Sequence, residues 1–199
     1  MVKCLAAMAV YPQEEVLNIN WRNKMNKQVL VAYASKYGAT AEIAERIGQA
    51  IQAKGFIVDV MPAEKVADLL SYDGIIVGSA VYAGQWRKEA ALFLETHEQT
   101  LTNRLVWLFS SGPTGAGDPI TLMKGWRFPE SLQPIADRIQ PQDIAFFGGV
   151  LDMTKLNLVE KLIVKAMKAP VGDFRDWDRI HGWATGIGLA LRQGVGELV

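Results

Sequence analysis

The sequence predicts an α/β protein, a five-stranded parallel sheet with helices on both faces. Three observations carry this. Apolar runs too short for helices recur along the chain, as strands buried on both faces require. Segments with helical periodicity stand between them, and strand–helix–strand units with right-handed crossovers build a parallel sheet. The chain has 199 residues, 50% hydrophobic and 21% charged, enough to bury one core of this kind.

The elements follow in order. Gln28–Ala34 is an almost unbroken apolar run and reads as the first strand. Ile43, Ile47, Ala50 and Ile51 then recur at helical spacing, with Thr40 placed to cap the helix and Gly55 to end it. Phe56–Val60 is the second strand, and Ala63–Leu70 is expected as a short helix. Gly74–Ser79 is the third strand. Lys88–His97 is a helix with Ala90, Phe93, Leu94 and His97 near one face. Leu105–Phe109 is the fourth strand, and residues 112–128, rich in Gly, Pro and Thr, read as a long loop. Pro129–Ile139 is a helix, with Pro134 an awkward residue inside it; Ile144–Val150 is the fifth strand. Leu156–Lys168 is amphipathic and helical. The last helix is expected from near Asp173, where Asp173 and Asp176 have capping-box spacing. Its apolar stripe runs through Trp177, Ile180, Ala184, Ile187 and Leu191.

Composition excludes several function classes. Lys+Arg and Asp+Glu are both 21, so the net charge is zero, and no basic excess points to nucleic acid. One cysteine, Cys4, allows no internal disulfide framework and no thiolate cluster, and fits a reducing compartment. His97 and His181 lie on separate helices, so no metal site is expected. No run approaches the roughly 20 apolar residues of a membrane span. Lys3 ahead of Cys4–Tyr11 outlines a signal peptide, but the apolar run is short for one. Residues 1–27 are therefore expected as a poorly ordered extension and 28–199 as the functional domain. Met25 offers an alternative start just before the first strand.

In such sheets ligands sit beyond the carboxyl ends of the strands. Three loops there invite attention. Ser35-Lys36-Tyr37-Gly38-Ala39-Thr40 runs from the first strand straight into a helix, whose free N–H groups bind anions. Two hydroxyls and a lysine make it a phosphate loop by physics, though it matches neither the P-loop nor the dinucleotide string. An ordinary capped turn is the plain alternative. Gly78-Ser79-Ala80-Val81-Tyr82-Ala83-Gly84-Gln85-Trp86 follows the third strand, where Tyr82 or Trp86 is placed to lie against a flat ring or to anchor packing. Ser110-Ser111-Gly112-Pro113-Thr114 follows the fourth. Together they describe a site for a planar ring with a phosphate tail.

From Gln28 to about Leu191 the chain resembles the flavodoxin fold, with strand order 2-1-3-4-5. Within it the nearer likeness is to the menaquinone-dependent protoporphyrinogen IX dehydrogenase family. Ser35–Thr40 is similar to that family's phosphate loop, with Tyr37 where simple flavodoxins have Ser or Thr. Gly78–Gly84 resembles its second flavin loop, and Ser110–Pro113 stands where the third is expected. Phe147–Leu151, the Lys-rich helix, and Gly172–Trp177 with Trp183-Ala184 are similar to the tail of these dehydrogenases. The loop from Gly115 to Phe128, near which substrate would enter, departs from the pattern and is shorter.

The resemblance implies FMN as cofactor. It implies Ser35, Lys36, Tyr37, Gly38, Ala39 and Thr40 around the phosphate. Ala80, Val81, Tyr82, Ala83 and Gly84, with Ser110, Ser111, Gly112, Pro113 and Thr114, would flank the ring. A backbone group near Ala83-Gly84 would meet flavin N5. No separate acid, base or nucleophile stands out. The implied reaction takes electrons from a porphyrinogen, or another small redox substrate, through FMN to a quinone or a redox protein. Trp86, Trp126 and Phe128 are placed to meet a macrocycle, and Lys124 or Arg127 its propionates; loop packing and solvation explain them equally well. The alternative is a flavodoxin-type electron carrier without its own substrate. Removing Lys3, Arg22, Lys24, Lys27, Glu14 and Glu15 leaves 17 basic and 19 acidic residues, far from the acidic surface typical of such carriers. A phosphoacceptor receiver domain lacks its acidic cluster, and a nicotinamide-dependent quinone reductase lacks its fingerprint. The expected location is cytoplasmic, with peripheral contact at the inner face of a membrane through Leu156–Lys168. In that helix Lys161, Lys165 and Lys168 stand beside an apolar face.

Overall fold

The strand Gln28–Ala34 (β1) lies inside the sheet, between two parallel neighbours, because both its faces are apolar. Val29 and Val31 point to one side, Leu30 and Ala32 to the other, and all four are fully buried. The computed structural model describes residues 27–193. The expected extension over 1–27 falls almost wholly outside them. After β1 come α1 (Ala39–Gln52), β2 (Ile57–Pro62), β3 (Gly74–Tyr82), β4 (Gln85–Trp86) and α2 (Lys88–Leu101). Then follow β5 (Leu105–Ser111), α3 (Pro119–Leu122), α4 (Gln133–Ile139) and β6 (Asp143–Phe147). The described residues end with β7 (Val150–Leu151), α5 (Leu158–Met167), β8 (Gly172–Asp173) and α6 (Trp177–Gln193).

The parallel strands pair in the order β2-β1-β3-β5-β6, the expected order; β4 adds a short antiparallel partner to β3. Helices α1 and α6 cover one face, with Ile43, Ile47, Ile180 and Ala184 against Val29, Val31, Ile76 and Phe109. Helices α2 and α4 cover the other, with Phe93, Leu94, Ile135 and Ile139 against Leu30, Ile75 and Leu108. Each such side chain contributes about 1.5–3 kcal/mol by leaving water. Among the described residues no helix is long and apolar enough to cross a membrane.

Several expectations are corrected. Thr40 does not cap α1: the cap position is Gly38, in left-handed backbone at φ 93°, and Thr40 is buried. Ala63–Leu70 makes only a 3-10 turn over Ala63–Lys65. Beyond it the Asp68 carboxylate accepts from the Leu70 N–H at 3.0 Å, a local bond that competes with a helix. Pro134 lies in the first turn of α4, where its missing N–H costs nothing. The fifth strand ends at Phe147, because at Gly148 the chain meets the Phe174 carbonyl; Val150 instead opens a separate two-stranded sheet, β7 with β8. Helix α6 starts at Trp177, with the Asp176 carboxylate accepting from the Arg179 N–H at 2.9 Å. Asp173 has a different task, holding Arg175.

The connection from Gly148 to Asp176 is the departure from a plain doubly wound domain. Strand-to-helix loops in such folds run to about 2–6 residues; this one carries β7, α5 and β8. No residue of α5 is buried.

Candidate functional site

Strand register gathers the three loops. Ala34 pairs with Ser79, Ser79 with Ser110 and Ala80 with Ser111, so the carboxyl ends of β1, β3 and β5 lie level. The first loop keeps its helix terminus open. Gly38 caps α1 without a side-chain bond; the first helical N–H with a backbone partner is that of Glu42, donating to the Gly38 carbonyl at 3.0 Å. The N–H groups of Ala39, Thr40 and Ala41 thus point out of the helix with its positive dipole end. Only Gly adopts φ 93° at no steric cost. The Ser35 hydroxyl accepts from the Gly38 N–H at 3.0 Å and shapes the loop. A recess of about 250 Å³ opens there, lined by Ser35, Gly38, Ala41, Pro62, Glu64, Arg87 and Glu89 among others, with Arg87 paired to Glu89 at 2.6 Å.

The second loop is a tight hairpin. Tyr82 pairs with Gln85 across Ala83 and Gly84, both at positive φ (49° and 74°), the primed turn that suits strand twist. Alternation along the hairpin separates its two aromatics. Trp86 turns inward, edge-on to Phe128 at 4.9 Å, with its indole N–H donating to the Ser110 hydroxyl at 2.8 Å. Tyr82 turns outward and is 46% exposed. Burial of its hydroxyl end raises the Tyr82 pKa above the ordinary phenol value. The Lys36 ammonium stands 5.1 Å from the Tyr37 ring and 5.9 Å from the Tyr82 ring. Tyr82 is therefore the aromatic available to a flat ligand, and Trp86 is a packing anchor.

The third loop ties the others together. Ser110 and Ser111 are buried, and the Ser111 and Thr40 hydroxyls bond each other at 2.9 Å. These three hydroxyls are buried and brace the loops. Ala80 and Val81 are strand residues of β3. Gly112 lies against Val81, and the Pro113 carbonyl accepts from the Gly149 N–H at 2.9 Å, with Thr114 half-buried beside them. Position for position, the groups left open are the N–H groups of 39–41, the exposed Tyr82 ring and the Ala83-Gly84 turn; Lys36 and Tyr37 stand beside them but are bonded to Glu160. The expected macrocycle platform is not assembled. Trp86 and Phe128 are buried on each other, and Trp126 packs edge-on to Phe146 at 5.3 Å. The recess beside Trp126 and Arg127 also borders Asp143 and Ile144, at the amino end of β6, opposite the Ser35–Thr40 loop. Among the described residues no His, Cys, Asp and Glu gather to hold a metal.

Sequence reasoning missed the residues that reach this site from the long connection. The Glu160 carboxylate accepts from the Lys36 ammonium at 2.5 Å and from the Tyr37 hydroxyl at 2.6 Å. Lys36, then Tyr37, then the Asn157 N–H hold its pKa down at about 2. The Lys155 ammonium donates to the Tyr37 carbonyl at 3.1 Å. Arg175, its side chain 8% exposed, bonds Asp173 and Glu42 and stacks 4.5 Å from the Trp177 ring. A second recess of about 160 Å³ lies between this connection and the loop, lined by Tyr37, Ala39, Tyr82, Leu151, Lys155 and Arg175 among others. Asn157-x-x-Glu160, a reciprocal capping box in the structure, was the sequence signal that fixes Glu160.

The residues fit FMN on this chain's own geometry: an uncapped helix start for the phosphate, and an outward tyrosine beside a positive-φ turn for the ring. Comparison with known proteins agrees. A sequence model described as the flavodoxin domain matches residues 30–178. No curated protein matches the chain. Among solved structures, a flavodoxin from the domain Archaea superposes with TM-score 0.53 at 15% identity, covering 83% of this chain and 99% of that one. Flavodoxin 2 from Bacillus cereus gives 0.52 at 22%, covering 84% and 99%. Rubredoxin oxygen:oxidoreductase from Desulfovibrio gigas gives 0.55 at 14%; 92% of this chain matches 41% of that larger one. At these identities the neighbours speak for the fold alone. The family match, over most of the chain, points to FMN as the cofactor, and the chain belongs to the flavodoxin domain family.

Proposed function

We propose that this protein is an FMN-dependent oxidoreductase that passes electrons from a small reduced substrate, through the flavin, to a quinone or a redox protein. The open amino terminus of α1, level with the Tyr82 hairpin, is the observation that carries it. When bound, FMN supplies the electron chemistry, and the chain supplies binding and electrostatics. The N–H groups of 39–41 would hold the phosphate, and Arg87, paired with Glu89, lies across the recess. Tyr82 would cover one side of the ring, and the Ala83–Gly84 peptide, at positive φ, would meet its N5 edge. No side chain here is set to move a proton.

Protoporphyrinogen IX is the donor that the resemblance singles out. A quinone acceptor would place the protein peripherally at the inner face of a membrane, with 156–168 as its contact. The second reading, a carrier without its own substrate, is favoured by the burial of Trp86 and Phe128, which removes a flat platform for a macrocycle. Anaerobic mixing of the FMN-loaded protein with protoporphyrinogen IX separates the two. Bleaching of the flavin with rising porphyrin fluorescence, then reoxidation by a menaquinone analogue, supports the first. A flavin that stays oxidised supports the second.

A further inference from the structure

Helix α5 is built inside out. Leu158, Val159, Leu162, Ile163 and Met167 are 80%, 65%, 68%, 52% and 73% exposed. With Ala166 they fill about half the helix circumference. Glu160, Lys161 and Val164 are the partly covered residues, turned to the body of the protein. Pro170 and Leu122 both lie against Gly115, and the exposed Leu122 and Val171 extend the apolar surface beyond the helix. Continuous apolar patches of this kind mark interaction surfaces.

Charge says what covers it. Lys165 and Lys168 stand exposed at the rim, with Lys155 and the half-buried Lys161 nearby. The one carboxylate of the helix, Glu160, is turned inward and paired with Lys36. The exposed charge on α5 is thus entirely cationic. A second copy seated face to face would bring these lysines together. An acidic surface with an apolar layer under it satisfies both the rim and the face.

We infer that this face docks on an anionic phospholipid bilayer, with α5 lying in the plane of the interface. The helix is about 15 Å long, half the roughly 30 Å apolar core of a bilayer, so it rests in the interface and does not cross. The capping box and the Glu160 bonds to Lys36 and Tyr37 fix its angle to the phosphate loop. Docking thereby holds the Tyr82 hairpin near the surface where an apolar acceptor dissolves. The inference rests on the peripheral contact in the reading above but not on the flavin, so either can fail alone.

The test is flotation of the full chain with vesicles of equal parts phosphatidylglycerol and phosphatidylcholine, against phosphatidylcholine alone, at low ionic strength. Binding to the mixed vesicles, weak binding to the neutral ones and release by salt are expected. Leu162→Glu should lower the partition coefficient at least about tenfold, with an unchanged far-UV circular dichroism spectrum. Lys165→Gln should lower it roughly fivefold. Absent flotation on mixed vesicles overturns the inference, as does flotation that Leu162→Glu leaves intact. A solution dimer that Leu162→Glu dissociates overturns it in favour of a second copy. Flavin binding and porphyrinogen oxidation are measured separately and report only on the redox reading.

Discussion

Two amphipathic helices meet at the Ser35–Thr40 loop and orient in opposite ways. Helix α1 turns Ile43, Ile47 and Ile51 onto the sheet and leaves its polar residues in water. Helix α5 turns its leucines and isoleucine to water and its glutamate inward. The first is fastened by apolar burial and the buried Thr40–Ser111 bond. The second is held by polar contacts, Glu160 with Lys36 and Tyr37, and Lys155 with the Tyr37 carbonyl. Periodicity in a sequence shows that a helix has an apolar face. It does not show what that face meets.

The largest expected effect sets the two helices side by side. Ile47→Ala should cost about 2–5 kcal/mol in urea unfolding, because it empties a site that is fully buried. Leu162→Ala should cost no more than about 0.5 kcal/mol. Equal costs would mean that the α5 face is covered within the monomer, and the contrast would break. A smaller effect sharpens the account of the α1 side. Ser111→Ala leaves the buried Thr40 hydroxyl without its partner and should cost about 1–3 kcal/mol by the same measurement.

The smallest effect belongs to the α5 side and fades in acid. The Glu160 carboxyl titrates at about 2 in the folded protein against an ordinary 4.5. A pKa lowered by folding contributes stability that is present above the ordinary value and lost as pH falls through the folded one. The Glu160–Lys36 contact should therefore hold above about 4.5 and fade toward about 2. Unfolding curves of the parent and of Glu160→Gln should converge across that window. Because the pair is partly exposed, high salt should narrow their difference at neutral pH.

The sheet was legible because its three inner strands are buried on both faces, so Val29–Ala32, Ile75–Val77 and Val106–Phe109 need no alternation to be recognised. The strand order came from the resemblance. The hairpin at β4 was hidden because Ala83 takes the left-handed position where Asn or Asp is the usual signal. The site was legible as three loops but not in its side chains. Ser110, Ser111 and Thr40 offer the right hydroxyls, yet strand register points them at one another and at Trp86. Glu160, Lys155 and Arg175 lie more than a hundred residues along the chain from the loop they touch. No local pattern announces such a contact; only the capping box at Asn157 was readable in advance.

The proposed site holds the phosphate of FMN at the open amino terminus of α1. The most direct measurement compares FMN with riboflavin by quenching of flavin fluorescence as protein is titrated in. Phosphate bonds to several N–H groups at a helix start should make FMN bind at least about a hundredfold more tightly. Equal affinity for the two flavins would contradict the claim, and the Ser35–Thr40 loop would be only a strand-to-helix turn.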